Sequence, residues 1–169
     1  VGSEREMDRI KIENKLQKMI SNNRYQHSLG VEQTAKELAV RYGANPCKAA
    51  LAGLVHDCAK GIPSNKAMAL AEQYHLPIDD ICKKQPELIH GALGAEIAKI
   101  EFEIADEEIL SAIAYHTTGK ENMTVLEKII YLADLIEPGR DFPGVDRLRE
   151  VAFQDLNKAL LEAMQSVMI

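Results

Sequence analysis

The run Leu51-Ala52-Gly53-Leu54-Val55-His56-Asp57-Cys58-Ala59-Lys60-Gly61 holds the key to the fold. Its first five residues are apolar or small, and Asn45-Pro46 just upstream supplies an N-cap and a first-turn proline. The pattern predicts a buried helix that ends at Gly61 and carries His56 and Asp57 just before it stops. A buried polar group costs several kcal/mol unless something pairs with it. Adjacent helical residues lie roughly 100° apart, so both side chains can lean towards one point, where a cation would satisfy them together. Taken alone, the doublet reads more simply as a neutral core histidine with an acid near a helix end. The company of His27, His90, His116 and Asp134, each in a similar helical setting, favours the cation.

Helical periodicity extends in both directions, and strand-like alternation is hard to find. Upstream, Met7, Ile10, Leu16, Met19 and Ile20 mark an amphipathic first helix, and Ser21-Asn22-Asn23 breaks it. A second helix follows from about Arg24 to Tyr42, closed by Gly43, with Tyr25, Leu29, Leu38 and Tyr42 as core candidates around His27. Downstream, Pro63-Ser64 opens a helix through about Tyr74, Ile78 to Lys84 forms a short turn, and Pro86-Glu87 starts a helix from about Leu88 to Ile100. Asp106-Glu107-Glu108 begins a helix ending near His116. Thr124 and Glu127 form a capping box for a helix over 125–136, which Glu137-Pro138-Gly139-Arg140 breaks before two closing helices. The expected fold is all-α, a compact bundle of eight or nine helices forming a single domain over residues 1–169.

Composition narrows the function. Hydrophobic residues make up 46% and charged residues 27% of the 169, as in ordinary globular domains. A net charge of −6 without a basic run argues against a nucleic-acid partner. No apolar run approaches the roughly 20 residues that span a bilayer, so no membrane partner is expected. Val1-Gly2-Ser3-Glu4-Arg5-Glu6 is too polar for a secretory signal, and Cys47, Cys58 and Cys82 form no CxxC pair. A cytoplasmic protein is the expectation.

His27, His56, Asp57 and Asp134 offer two imidazoles and two carboxylates from three helices. That mixture suits iron, manganese, cobalt or zinc, and leaves open positions on a six-coordinate ion for water and a substrate oxygen. His90 and His116, near helix ends, are a second tier that holds a second ion or orients a phosphate. Arg24 shares a helix face with His27.

The ordered segments Arg24-Tyr25-Gln26-His27, Gly53-Leu54-Val55-His56-Asp57, Ile89-His90-Gly91, Tyr115-His116-Thr117-Thr118-Gly119 and Tyr131-Leu132-Ala133-Asp134 resemble the HD superfamily of metal-dependent phosphohydrolases. More narrowly, the chain is similar to the YqeK-type symmetrical dinucleoside tetraphosphate hydrolases. The likeness runs in register from about Arg24 to Arg140, with Cys58 a departure where an aromatic residue often stands. It implies an HD-type bundle with His27, His56, Asp57 and Asp134 as ligands, of iron first and of manganese, cobalt or zinc as alternatives, with one or two ions. It further implies that His90 and His116 face the substrate phosphates or a second ion, and that Lys60, Thr117, Thr118 and Arg140 form a phosphate-binding rim. Arg24 and His27 complete the expected substrate-binding set. The implied reaction is symmetrical cleavage of diadenosine tetraphosphate to two ADP by metal-activated water, with Asp57, His90 and His116 as the catalytic group.

Plainer readings stand beside these. His90 and His116 are otherwise exposed helix-end residues, and Lys60, Lys120 and Arg140 ordinary solvated cations. His75 reads as a surface residue, Asp106-Glu107-Glu108 as a favourable helix start, and the methionines as filler. The Met- and Leu-rich first and last helices are either a homodimer face or core. Rival functions are an HD-type phosphatase or phosphodiesterase for another nucleotide, a di-iron oxygenase, and a nucleotide-sensing module without turnover.

Overall fold

The computed structural model describes residues 2–80, 84 and 89–168, with side chains over 9–80, 84 and 89–166. Residues 81–83 of the short turn expected over 78–84, Cys82 among them, Pro86-Glu87 and the Met7 side chain lie outside the described residues. Among the described residues all regular structure is helical. The helices are α1 (Gly2–Met19), α2 (Asn22–Tyr42), α3 (Pro46–Val55), α4 (Ser64–Gln73), α5 (His90–Glu101), α6 (Glu107–Ala114), α7 (Val125–Ile136), α8 (Val145–Gln154) and α9 (Leu156–Met168).

Local chemistry sets most boundaries. Ser21 Oγ accepts from Arg24 N–H at 3.2 Å to start α2, and Asn45 Oδ1 accepts from Cys47 N–H and Lys48 N–H to start α3. Asp106 does the same for α6, and Thr124 with Glu127 forms the expected capping box on α7. The hub is α7, whose Leu126, Ile129, Ile130, Tyr131, Leu132, Ala133 and Ile136 are buried nearly all round. It packs against α2, α3, α6, α8 and α9. The core stripe of α1 is Ile12, Leu16 and Met19, continued by Ile20 just past its end, whereas Ile10 is 57% exposed on the other side.

One boundary differs from the sequence expectation. Helix α3 stops at Val55, and His56 is its C-cap, so Asp57 lies in the following turn and not on the helix. The His56 ring gives the reason: Nδ1–H donates to the Gly53 carbonyl at 2.7 Å, the acceptor that the Asp57 N–H would need to extend the helix. The chain then tightens into three-residue turns, Cys58 N–H to Val55 O at 3.1 Å and Lys60 N–H to Asp57 O at 2.9 Å.

Helices α5 and α6 approach closely at Gly91. A Cβ there would fall inside contact distance of the Ala114 carbonyl oxygen. This contact sets the first turn of α5, with His90, beside the end of α6, two residues before His116.

Candidate metal centre

Four elements converge at the ends of α3, α6 and α7 and the middle of α2. His27 Nε2 lies 2.8 Å from Asp134 Oδ1 and 3.9 Å from Asp57 Oδ2. His56 Nε2 lies 3.4 Å from Asp134 Oδ1 and 3.6 Å from Asp57 Oδ2. His116 Nε2 stands 3.5 Å from the other Asp57 oxygen, Oδ1. The His56 ring sits between the other two, with centroids 5.4 Å from His27 and 5.0 Å from His116. Two overlapping groups, His27-His56-Asp57 and His56-His116-Asp134, each bring three donor atoms within 4.8 Å of one another.

The donor chemistry fits a cation. A carbonyl oxygen only accepts, so the bonds of His56 Nδ1 to Gly53 and of His116 Nδ1 to Ile113, both 2.7 Å, place the hydrogen on Nδ1. In the neutral ring each Nε2 then carries a lone pair directed at the cluster, as metal-ligating histidines require. His56 Nε2 is buried without a hydrogen-bond partner among the described residues. At His27, Nδ1–H donates to Glu137 Oε2 at 2.6 Å, which leaves the Nε2 lone pair facing Asp134 Oδ1. Two lone pairs 2.8 Å apart need a proton or a cation between them.

The electrostatics agree. Burial alone would lower the His56 pKa, but the negative charges of Asp57 and Asp134 and the Gly53 bond outweigh it and raise the pKa to about 9. Burial alone would raise Asp57, but the His56 charge and the His116 hydrogen bond hold it well below the carboxylate range. Asp134, likewise opposed by burial, is held well below it by the hydrogen bonds that His27 and His56 donate when protons take the place of a cation.

These shifts fix a pH dependence for protein stripped of divalent cations. The raised His56 value contributes stability that is full below its ordinary 6.5 and lost as pH climbs through about 9. The depressed Asp57 and Asp134 values contribute stability that is full above the ordinary 3.8 and lost as pH falls through their folded values. Thermal unfolding of chelator-treated protein is expected to peak between about pH 4 and 6.5 and to decline as pH rises from about 6.5 to about 9, where the His56 contribution is exhausted. Because a cation must displace the His56 proton, its affinity is expected to rise over the same alkaline range, with protons released on binding.

The remaining sequence candidates surround the cluster. Arg24 Nη1 lies 3.3 Å from Asp57 Oδ2, and Arg140 grips Asp134 through Nη2 to Oδ1 at 3.1 Å and Nε to the backbone carbonyl at 2.8 Å. Both guanidiniums are more than a third exposed. Thus Arg140, expected on a phosphate rim, contacts a candidate ligand directly. Lys60 and Thr117 are exposed, and Thr118 Oγ1 donates to the Gly119 carbonyl at 2.9 Å. His90 is the first residue of α5 and half-buried.

Sequence reasoning missed two participants. Glu137 reads as part of a helix-breaking Glu-Pro-Gly-Arg, yet it is buried against His27. Its one available signal is that it follows Asp134 by three residues, about one helical turn. Arg149, which reads as a surface charge on α8, donates to the carbonyls of Ile136, Glu137 and Arg140 at 2.8, 3.0 and 2.6 Å and fastens the loop that carries Glu137.

An open cleft of about 700 Å³ borders the cluster, lined by Arg24, His27, Gly30, Glu137 and Arg140 among others. A larger one of about 870 Å³ lies elsewhere, between α1, α3 and the α5–α6 loop, and contains none of the candidate ligands. The donor set, and not the size of the hollow, identifies the site.

Comparison with known proteins agrees with this geometry. The HD domain family matches residues 24–139. The chain is 42% identical over 154 residues to a symmetrical bis(5'-nucleosyl)-tetraphosphatase of Bacillus subtilis, covering 91% of this chain and 82% of that one. It is 46% identical over 145 residues to the protein of the same description from Halalkalibacterium halodurans, covering 86% and 77%. A protein of Clostridium acetobutylicum, described as a predicted HD superfamily hydrolase involved in NAD metabolism, superimposes with a TM-score of 0.91 at 47% identity, covering 94% of this chain and 84% of that one.

Proposed function

Because the chain belongs to the HD domain family, we propose that it is a metal-dependent phosphoanhydride hydrolase that cleaves dinucleoside tetraphosphates symmetrically, diadenosine tetraphosphate to two ADP. The observation that carries the proposal is the convergence of three imidazole Nε2 atoms on two carboxylates, with the buried His56 Nε2 left without a hydrogen-bond partner. The similarity to two symmetrical tetraphosphatases over most of both chains supports the substrate class.

A divalent cation held by His27, His56, Asp57 and Asp134 supplies Lewis acidity, acidifying water and withdrawing charge from phosphoryl oxygens. The chain's own residues do the rest. Asp57 presents Oδ2 to His27 and His56 while Oδ1 faces His116, so Oδ1, shared with His116, takes the proton of the attacking water. Water adds to an inner phosphorus, the central P–O anhydride bond breaks, and each half leaves as a nucleoside diphosphate. His90 and His116 face the charge that spreads over the phosphoryl oxygens. Arg24 and Arg140, already paired with Asp57 and Asp134, trade part of that contact for phosphate oxygens, which a guanidinium binds in bidentate fashion. Lys60, Thr117 and Thr118 extend the rim.

We assign iron as the natural ion, a homodimer as the assembly, the cytoplasm as the location and one catalytic domain over the whole chain. No helix among the described residues is long and apolar enough to cross a membrane. The test is a panel of dinucleoside polyphosphates and simple nucleotides, with products resolved by chromatography. Two nucleoside diphosphates and no inorganic phosphate are expected from the tetraphosphate. Orthophosphate or a monophosphate from simple nucleotides, with the tetraphosphate untouched, would sink the proposal.

A further inference from the structure

We infer that Glu137 is a positioning residue: it fixes the tautomer and ring orientation of His27, and through them the affinity of the centre for its cation. The inference rests on reading the cluster as a metal site, but not on any substrate. Its starting point is a difference among the three histidines. His56 and His116 follow the last residues of α3 and α6, where carbonyls three residues back are open to a side chain, and each ring takes one. His27 lies in the interior of α2, where the helix consumes the carbonyls, so its Nδ1–H needs an acceptor from elsewhere.

Glu137 is that acceptor, and the surroundings are arranged around it. The carboxylate is buried, 4% exposed, with Oε2 on His27 Nδ1–H at 2.6 Å and Oε1 accepting from the Gly139 N–H. Both oxygens are therefore committed as acceptors. Its own carbonyl takes the Arg140 N–H at 2.9 Å and Arg149 Nη2 at 3.0 Å, so the backbone behind the carboxylate is tied to α8. On the facing side stands Gly30, one turn along α2 from His27. A Cβ at Gly30 would lie 2.9 Å from Oε1 and 3.1 Å from Cδ, so the absence of a side chain there gives the carboxylate its room. A carboxylate behind a ligating imidazole raises its basicity and holds its plane.

The experiment is a Mn²⁺ titration of stripped protein, following free ion by its magnetic resonance signal, with a melting temperature for each stripped variant. Glu137→Gln keeps the shape but owns one acceptor oxygen, so its amide NH₂ must face either Gly139 N–H or His27 Nδ1. Mn²⁺ affinity is expected to fall about 10–100-fold, the range for groups that support a ligand from behind. Gly30→Ala is the second variant and covers a failure of the first to fold. Alanine favours a helix over glycine, and the obstructed atom is the end of a flexible side chain, so the melting temperature is expected to hold or rise while Mn²⁺ affinity drops. A merely structural role would not separate those two readouts. Affinity within about twofold of wild type in a folded Glu137→Gln protein, or in Gly30→Ala, overturns the inference. Wild type that binds Mn²⁺ yet releases no nucleoside diphosphate refutes the proposed function and leaves this inference standing. Wild type that binds no Mn²⁺ refutes it.

Discussion

Asp57→Ala is expected to lose turnover by well over about 100-fold, beyond the range for residues that only support a ligand, and to retain less than one equivalent of metal after gel filtration. The carboxylate reaches all three imidazoles and one guanidinium: Oδ2 lies within 3.9 Å of His27, His56 and Arg24, and Oδ1 within 3.5 Å of His116. Its removal deletes a candidate ligand, the proton acceptor and the charge that raises His56 in one step. The stripped variant is expected to keep its helical circular dichroism, because Asp57 sits in a turn outside α3 and supports no helix with its side chain. Its His56 loses the first charge that raises its pKa, so the decline in stability above about pH 6.5 is expected to be smaller and to finish at lower pH than in wild type. Metal analysis, a tetraphosphate assay and pH-resolved melting check the three parts. A variant that stays metallated and active would show that the cluster is not the active centre.

Gly91→Ala is expected to be the most damaging glycine-to-alanine change among the described residues. The new Cβ meets the Ala114 carbonyl, a backbone atom at the end of a buried helix, so either α5 or α6 must move. Overpacking of this kind costs about 1–3 kcal/mol, and in a chain of this length each kcal/mol lowers the melting temperature by about 2–4 °C. The helix preference for alanine over glycine, about 1 kcal/mol, works against this and is too small to cancel it. The displaced elements carry His90 and His116, so catalysis is expected to suffer more than metal binding by His27, His56, Asp57 and Asp134. An unchanged melting temperature with wild-type turnover would show that α5 and α6 do not meet as described. The contrast with Gly30→Ala is informative, since there the same methyl presses on a movable side-chain end.

How much of this was legible beforehand depends on what kind of signal each residue leaves. Helices with an apolar stripe and an explicit cap, such as α2 and α7, are written directly in the spacing and in Ser21, Thr124 and Glu127. The four candidate ligands are visible for the opposite reason: His27, His56, Asp57 and Asp134 are polar groups in apolar surroundings, and that anomaly needs an explanation. The end of α3 is not legible, because it depends on the His56 ring capturing a carbonyl of its own helix, a choice no periodicity records. Glu137 and Arg149 are hidden differently. Each occupies a place where a charged residue is ordinary, a loop after a helix and the face of an amphipathic helix, and only the three-dimensional path brings them to His27 and to the 136–140 backbone.

The two ways of holding an imidazole differ in how exposed they are to change by mutation. At His56 and His116 the restraint is a peptide oxygen, which every amino acid supplies, so no single side-chain replacement elsewhere can release those rings. At His27 it is a genetically replaceable group seated against a second replaceable position. Drift or selection acting on metal preference therefore has one adjustable corner in an otherwise hard-wired centre, and homologues that favour different ions should differ first at the positions equivalent to 30 and 137.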